Sequence, residues 1–177
     1  FSSVGAAHID YFRRMESSLA QVTLGQNRYA RTLLAGSPAV GAGNLLYGLE
    51  LFHNDGPWQE PEDYRKVNGV LRYSQGSRNN GISLTGMAYR GRWNSTDQIA
   101  QRAIDTGAVD RFGTLDSTTG GKTYRYSLAG EWAKRGEASQ SKATIWWLKS
   151  GLDLWSNFQY CLNDFAASGT CATGDQF

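Results

Sequence analysis

The feature that most constrains the fold is a pair of segments, residues 66–74 and 82–89, in which side-chain polarity alternates with a period of two. One face of the first segment carries Val67, Gly69, Leu71 and Tyr73. Its other face carries Lys66 and Arg72. A period of two is typical of a β-strand, and the polar, glycine-rich connector 75–81 predicts that the two strands form a hairpin.

The two faces of this hairpin have an unusual character. A small packed barrel or sandwich would have to bury the charges of Lys66 and Arg72, at a cost of several kcal/mol. The apolar face is thin, because Gly69, Gly86 and Ala88 interrupt it. These features favour an outer-membrane β-barrel, in which charged side chains face a wet lumen and the glycine-containing face meets lipid.

Composition limits the classes of function. The chain has 177 residues, and 12% of them are aromatic and 19% charged. Its net charge of +2 is too small to indicate a nucleic-acid partner. No apolar run approaches the ~18 residues of a membrane helix. If the chain crosses a membrane it therefore does so with strands, because a closed sheet is the other way to satisfy every backbone group in lipid.

The same alternation extends over most of the chain. It predicts an all-β protein, an antiparallel up-and-down meander of about seven strands in which 19–34 is either one bulged strand or two short ones. A short helix is expected at 99–106. The predicted strands are 3–13, 19–34, 45–54, 66–74, 82–89, 123–134 and 143–158.

The connectors differ in length in a regular way. The connectors 75–81 and 135–140 are short, whereas 56–62, 94–122 and 159–177 are longer. An outer-membrane barrel has tight periplasmic turns and long outer loops. We therefore expect the three longer connectors to lie at one end of the sheet and the two short ones at the other.

Strand phase predicts which side chains share a face. The predicted lipid face contains Leu49, Leu71, Tyr73, Leu84, Tyr126, Leu128, Leu148 and Leu152. The predicted lumen face contains Glu50, Lys66, Arg72, Ser83, Thr85, Arg125, Glu131 and Lys149.

Several short motifs resemble a known family, the TonB-dependent outer-membrane receptors. The motifs are Asn54-Asp-Gly-Pro-Trp58, Tyr64-Arg-Lys-Val-Asn-Gly-Val-Leu-Arg-Tyr-Ser74, Leu84-Thr-Gly-Met-Ala-Tyr89, Trp93-Asn-Ser-Thr-Asp-Gln98 and Tyr126-Ser-Leu-Ala-Gly-Glu-Trp132. The resemblance implies a barrel of ~22 strands around a plug, of which this chain would supply about a third. It also implies a place in the bacterial outer membrane and import of a scarce nutrient, such as an iron chelate, vitamin or oligosaccharide. Energy would come from the TonB-ExbB-ExbD system through a plug domain that this sequence does not contain.

No catalytic or metal-binding constellation stands out, so no enzymatic activity and no cofactor are expected. Polar and aromatic groups are predicted to meet at the mouth formed by the long loops, where they would bind the ligand. These candidates are Trp58, Trp93, Asp97, Gln98 and Arg102. Trp58 and Trp93 could instead belong to an interfacial aromatic girdle. Cys161 and Cys171 are either free thiols or a disulfide that closes a loop of about ten residues.

Two other interpretations remain open at this point. One is a complete outer-membrane barrel of eight strands, or a porin, for which this length would suffice. The other is a secreted β-rich carbohydrate-binding module with tryptophan residues as sugar platforms. The chain begins at Phe1 without Met or a signal peptide, and we therefore expect a piece of a longer protein.

Overall fold

The protein is an all-β chain built around one antiparallel sheet. The computed structural model describes residues 12–95, 99 and 101–156. Its elements, in chain order, are β1 (Leu19–Leu24), β2 (Ala30–Gly36), β3 (Ala39–Val40), β4 (Gly43–Asn54), β5 (Tyr64–Gly76), β6 (Gly81–Asn94), α1 (Gln101–Asp105), β7 (Gly120–Arg135) and β8 (Gln140–Trp155).

The strands follow one another in meander order. The sheet runs β1-β2-β4-β5-β6-β7-β8, every pair is antiparallel, and the two-residue β3 pairs with β4. The predicted meander is therefore confirmed. Among the described strands β1 and β8 are the two ends of the sheet and do not pair with each other, so the sheet is open. No helix in the described part of the chain is long and apolar enough to span a membrane.

Most predicted strands are present, with shifted ends. The central hairpin is β5 paired with β6, and Gly76 begins its tight connector with a φ of 73°. The segment 19–34 is two strands, because Asn27 and Arg28 adopt left-handed φ values of 56° and 54° and turn the chain between them. The expected helix is α1. The strand predicted at 3–13 falls largely outside the described residues, as does the end of the strand predicted at 143–158.

Across β5, β6 and β7 the distribution of polarity over the two faces of the sheet is the reverse of that in a water-soluble protein. Paired residues of antiparallel strands point to the same face. On one face Leu71, Leu84 and Leu128 are 54%, 60% and 54% exposed. On the opposite face Arg72 and Thr85 are only 7% and 5% exposed. We call these the apolar face and the polar face.

The strand pairing tests the predicted faces. On the apolar face, Leu49, Leu71, Tyr73, Leu84, Tyr126 and Leu128 lie together as predicted. On the polar face, Glu50, Lys66, Arg72, Ser83, Thr85, Arg125 and Glu131 lie together as predicted.

The predictions for β8 are wrong. Leu148 pairs with Ser127 and Leu152 pairs with Thr123, so both leucines share the polar face, whereas Lys149 pairs with Tyr126 on the apolar face. Both phases of β8 contain large apolar residues, because Ile145, Trp147 and Trp155 alternate with Trp146, Leu148, Leu152 and Leu154. Hydrophobicity therefore cannot show which residues of β8 lie on which face. The register of β8 against β7, set by the turn between them, assigns the faces.

Candidate functional site: the loop rim

Three connectors leave the sheet at the same end and form what we call the loop rim: residues 25–29, 55–63 and 95–119. Two of them are joined by the backbone N–H of Asp55, which donates to the carbonyl oxygen of Asn27 at 2.9 Å, and by an ion pair of Arg28 with Asp55. As predicted, the longer connectors 55–63 and 95–119 share this end, and the third, 159–177, lies outside the described residues.

The two longer loops are docked on each other. The Gln59 backbone N–H donates to the Phe112 carbonyl at 2.9 Å, and the Gln59 side-chain amide donates to Asp110 Oδ2 at 2.7 Å. The rings of Trp58 and Phe112 pack with their centroids 6.1 Å apart. The long loop 95–119 is thus held at its middle by Trp58 and Gln59. Trp58, predicted to bind ligand, thus packs against another loop of the protein.

Trp93 lies beside an open cleft at the base of the rim. The cleft has a volume of about 290 Å³ and is lined by Asp63, Arg92, Trp93, Asn94, Gly121, Lys122 and Trp155. Trp93 covers Gly121, where the ring leaves no room for a Cβ atom. The cleft therefore joins one predicted residue to Arg92, Lys122 and Trp155, which the sequence did not single out. The sequence feature that could have identified these three residues is their position at strand ends beside the long loop.

Trp58 and Arg102 are not among the residues that line this cleft. Arg102 lies on α1, exposed, and its backbone carbonyl accepts from the N–H and hydroxyl of Thr106 at 3.0 Å and 2.9 Å. Asp97 and Gln98 lie outside the described residues. Cys161 and Cys171 do too, so their disulfide stays a prediction.

A carboxylate at the end of the β4–β5 loop organises the arginines of the rim. Asp63 accepts from Arg65 at 2.8 Å and from Arg92 at 2.7 Å. Burial opposes ionisation of Asp63, but the hydrogen bonds from Arg92 and Arg65 outweigh it and lower its pKa. The preceding Glu62 has no such partner in the described residues, and burial raises its pKa. The surroundings therefore shift the pKa values of these two adjacent acids in opposite directions.

His53 lies between two aspartates of the rim. Its Nε2 is 3.3 Å from Asp55 Oδ1, and its Nδ1 is 3.8 Å from Asp63 Oδ1. One histidine nitrogen and two carboxylate oxygens within 4.8 Å form a possible ligand set for a divalent cation. However, Arg28 holds Asp55, and both Arg65 and Arg92 hold Asp63. Three guanidinium groups against two carboxylates already leave a positive site, so a metal ion would have to displace them. We assign no metal to it.

The polar face carries two ion-pair networks below the rim. Glu50 accepts from Arg31 at 2.6 Å and pairs with Lys66 at 2.9 Å. Further down, Arg72 donates to Thr85, Ser83 and Glu131 at 2.9, 3.0 and 2.9 Å. The sequence suggested that Lys66 and Arg72 would be solvated. In the structure each instead has protein partners, which offset the cost of burial.

Comparisons with protein-family models, with curated proteins and with solved structures found no match to this chain.

Proposed function

We propose that this chain forms part of the wall of a transmembrane β-barrel in the bacterial outer membrane, within a receptor of the TonB-dependent type that binds and imports a scarce nutrient. The observation that carries the proposal is the reversed polarity of β5, β6 and β7: leucines of the apolar face are exposed, whereas Arg72, Ser83 and Thr85 of the polar face are buried. Lipid on one side and a polar interior on the other is the arrangement that such a wall requires.

Energetics favour lipid over water at the apolar face. Covering a leucine-sized side chain is worth roughly 1.5 to 3 kcal/mol. Leu71, Leu84 and Leu128 lie on adjacent strands, and each would lose much of this stabilisation in water. A secreted carbohydrate-binding module would expose the whole surface to solvent. In a bilayer the same exposure has no such cost.

The height of the apolar face also supports a membrane. Along β7 it runs from Tyr124 to Trp132, eight residue steps, which at ~3.3 Å per residue is about 26 Å. An outer-membrane barrel has an apolar band ~25 Å tall with aromatic residues at both edges. Tyr124 stacks on Tyr126 at the rim end with a centroid distance of 5.6 Å, and Trp132 lies at the other end. Strand tilt shortens the band somewhat.

The open edge of β8 supports a larger barrel over a complete one of eight strands. β8 has 16 residues and pairs, among the described strands, only with β7. Unpaired backbone groups cost several kcal/mol each in lipid. A membrane location therefore requires another strand beside β8, and β1 does not pair with it in the described sheet.

Nutrient binding and import rest on two further features. The docked loops lie at one end of the sheet, and Trp93 lies beside an open cleft at their base, which suits a polar ligand of modest size. The motifs at 54–58, 64–74 and 126–132 resemble those of TonB-dependent receptors, in which a plug domain outside this sequence couples import to an inner-membrane energy source.

The proposal is tested in cells that make the protein and in cells from which its gene is deleted. The protein should fractionate with the outer membrane and should require detergent for extraction. Uptake is then measured for ferric chelates, cobalamin and oligosaccharides, with and without an uncoupler of the proton gradient. We expect the deletion to abolish energy-dependent uptake of one class. Extraction without detergent would reject the membrane assignment, and uptake that survives the uncoupler would reject the TonB-type mechanism.

A further inference from the structure

A row of cations crosses the apolar face just below the loop rim. Arg65 of β5 is directly opposite Arg92 of β6, and Arg92 is directly opposite Lys122 of β7. The side chains of Arg65, Arg92 and Lys122 are 58%, 60% and 54% exposed. Like charges in direct cross-strand pairs destabilise a sheet. Three in one row therefore call for a compensating anion.

Acidic residues of the chain compensate the row only in part. Asp63 binds Arg65 and Arg92 together, and Asp153 pairs with Lys122 at 3.2 Å. Two more cations lie on the same face closer to its centre, Arg90 and Lys149. Neither forms an ion pair within the described part of the chain. Five cations against two carboxylates leave an excess of three positive charges. We call the five, Arg65, Arg90, Arg92, Lys122 and Lys149, the cation belt.

An apolar groove begins directly below Arg90, at the height of Lys149. Its volume is about 370 Å³, and Gly69, Leu71, Gly86, Ala88, Leu128 and Trp147 line it. Gly86 and Ala88 lie on β6 in line with Arg90 and Arg92, because alternate residues of a strand share a face. The small side chains form the floor of the groove, and Leu128 and Trp147 stand beside it.

We propose that the cation belt and the groove together bind an anionic membrane lipid, with its phosphate on Arg90 and Arg92 and an acyl chain against Gly86 and Ala88. This inference rests on the proposed function, because it requires the apolar face to meet lipid. A guanidinium binds phosphate with two parallel hydrogen bonds. Long basic side chains at the edge of an apolar band reach toward the head groups.

The adjoining groove is what favours a lipid over a soluble phosphate compound. A soluble anion would use the belt alone, whereas a lipid also covers the apolar surface that starts two residues below Arg90. The belt and the loop rim occupy the same end of the sheet, so the lipid belongs to the leaflet on the side of the long loops. Near a membrane surface each basic residue strengthens binding to anionic lipid by roughly five-fold.

The test uses the protein purified in mild detergent and titrated with phosphatidylglycerol or phosphatidylcholine of the same chain length, with retained lipids counted by native mass spectrometry. We expect phosphatidylglycerol to be retained at least about five-fold more tightly. Arg90→Glu should abolish that preference. The matched control is Arg125→Glu: Arg125 lies on the neighbouring strand at the same height but on the polar face, and it has no ion pair among the described residues. It should retain the preference.

Each outcome decides the proposal. Equal retention of both lipids by the wild type, or loss of the preference in Arg90→Glu and Arg125→Glu alike, would overturn the inference. Displacement of the lipid by excess inorganic phosphate alone would also overturn it, since the groove would then contribute nothing. Failure here is distinguishable from failure of the proposed function. A spin label at Leu128 reports contact with the acyl-chain region whether or not the belt selects anionic head groups.

Discussion

Arg72 of β5 and Glu131 of β7 form an ion pair of 2.9 Å across the strand that separates them. The intervening strand β6 completes the contact, because Ser83 donates to the same Glu131 oxygen at 2.8 Å and Thr85 accepts from Arg72 at 2.9 Å. Three consecutive strands are thereby linked on the polar face by side chains as well as by backbone hydrogen bonds. The arginine side chain is only 9% exposed, so its charge depends on these partners.

Removing the acid from this network should destabilise the sheet. Glu131→Leu leaves the Arg72 guanidinium buried with hydroxyl partners only, and we expect a loss of about 2 to 3 kcal/mol in the free energy of unfolding. The double variant Arg72→Met/Glu131→Leu removes the charge altogether and should recover most of that loss. Denaturant unfolding of the detergent-solubilised protein, followed by tryptophan fluorescence, measures both.

The pair Lys122 and Asp153 provides the control. These side chains are 54% and 63% exposed, and exposed ion pairs contribute ~1 kcal/mol or less. Asp153→Asn should therefore change the stability far less than Glu131→Leu does. Equal losses in the two variants would mean that burial of Arg72 does not govern the energetics of the polar face.

A charge on the apolar face should impair assembly, whereas the same charge on the polar face should not. Leu128 is central to the apolar face, and its neighbour Ser127 points to the polar face. Leu128→Arg should cost ~2 to 4 kcal/mol in a bilayer, whereas Ser127→Arg should be tolerated. Reconstitution into vesicles and unfolding in urea measure the difference. If Ser127→Arg were the more damaging variant, the two faces would be assigned the wrong way round.

The long loop should depend on Trp58 for its position. Trp58 packs on Phe112, and the backbone of the adjacent Gln59 binds the same residue. Trp58→Ala removes the ring contact, and we expect trypsin to cleave after Arg111 about ten-fold faster. Trp132→Ala, at the opposite end of the sheet, is the control and should leave the cleavage rate unchanged. An unchanged rate in Trp58→Ala would show that the loop does not need this contact.

The two adjacent acids of the rim should have opposite effects on stability. The pKa of Asp63 is lowered in the folded state, so its ionised form contributes stability above the unfolded pKa of about 4, and this contribution disappears as the pH falls through the folded pKa. Asp63→Asn should therefore reduce stability at neutral pH and weaken the acid dependence. Thermal unfolding of the variant and the wild type between neutral and acidic pH measures both effects.

The ionised form of Glu62 has the opposite effect on stability. Burial raises the pKa of Glu62, and folding therefore disfavours its ionised form. Stability falls as the pH rises from the unfolded toward the folded pKa of Glu62. Glu62→Gln should consequently raise the thermal midpoint at neutral pH, where Asp63→Asn lowers it. A decrease in both variants would mean that Glu62 has a stabilising contact when ionised.

The strands of this fold were predictable because their polarity alternates and glycine-rich turns separate them. The charge of Arg72 and the apolar side chain of Leu71 are enough to assign these two residues to opposite faces of the sheet. In β8 the same method failed, since Trp146 and Trp147 are both large and apolar and only the register from the β7–β8 turn assigns them. A strand with large apolar residues on both faces gives no polarity signal of its own.

The candidate site was less predictable than the fold. That the long loops share one end follows from strand number, so Trp58 and Trp93 were placed correctly at the rim. Their contacts depend on the conformation of loop 95–119. Side-chain polarity does not alternate regularly in this loop, so the sequence does not predict that conformation. The row of Arg65, Arg92 and Lys122 becomes visible only when the register of three strands is known. Cross-strand neighbours are distant in sequence, and single-strand patterns do not encode them.

The accessibility of β7 to lipid and water tests the membrane assignment most directly. Cys161 and Cys171 are first replaced by serine, and single cysteines from 123 to 133 are spin-labelled in the protein reconstituted in vesicles. Collisions with oxygen report lipid, and collisions with a water-soluble nickel complex report water. We predict a period of two, with oxygen maxima at Tyr126 and Leu128 and nickel accessibility favoured at Arg125 and Ser127. Uniform water accessibility, or maxima in the opposite phase, would contradict a lipid-facing apolar sheet.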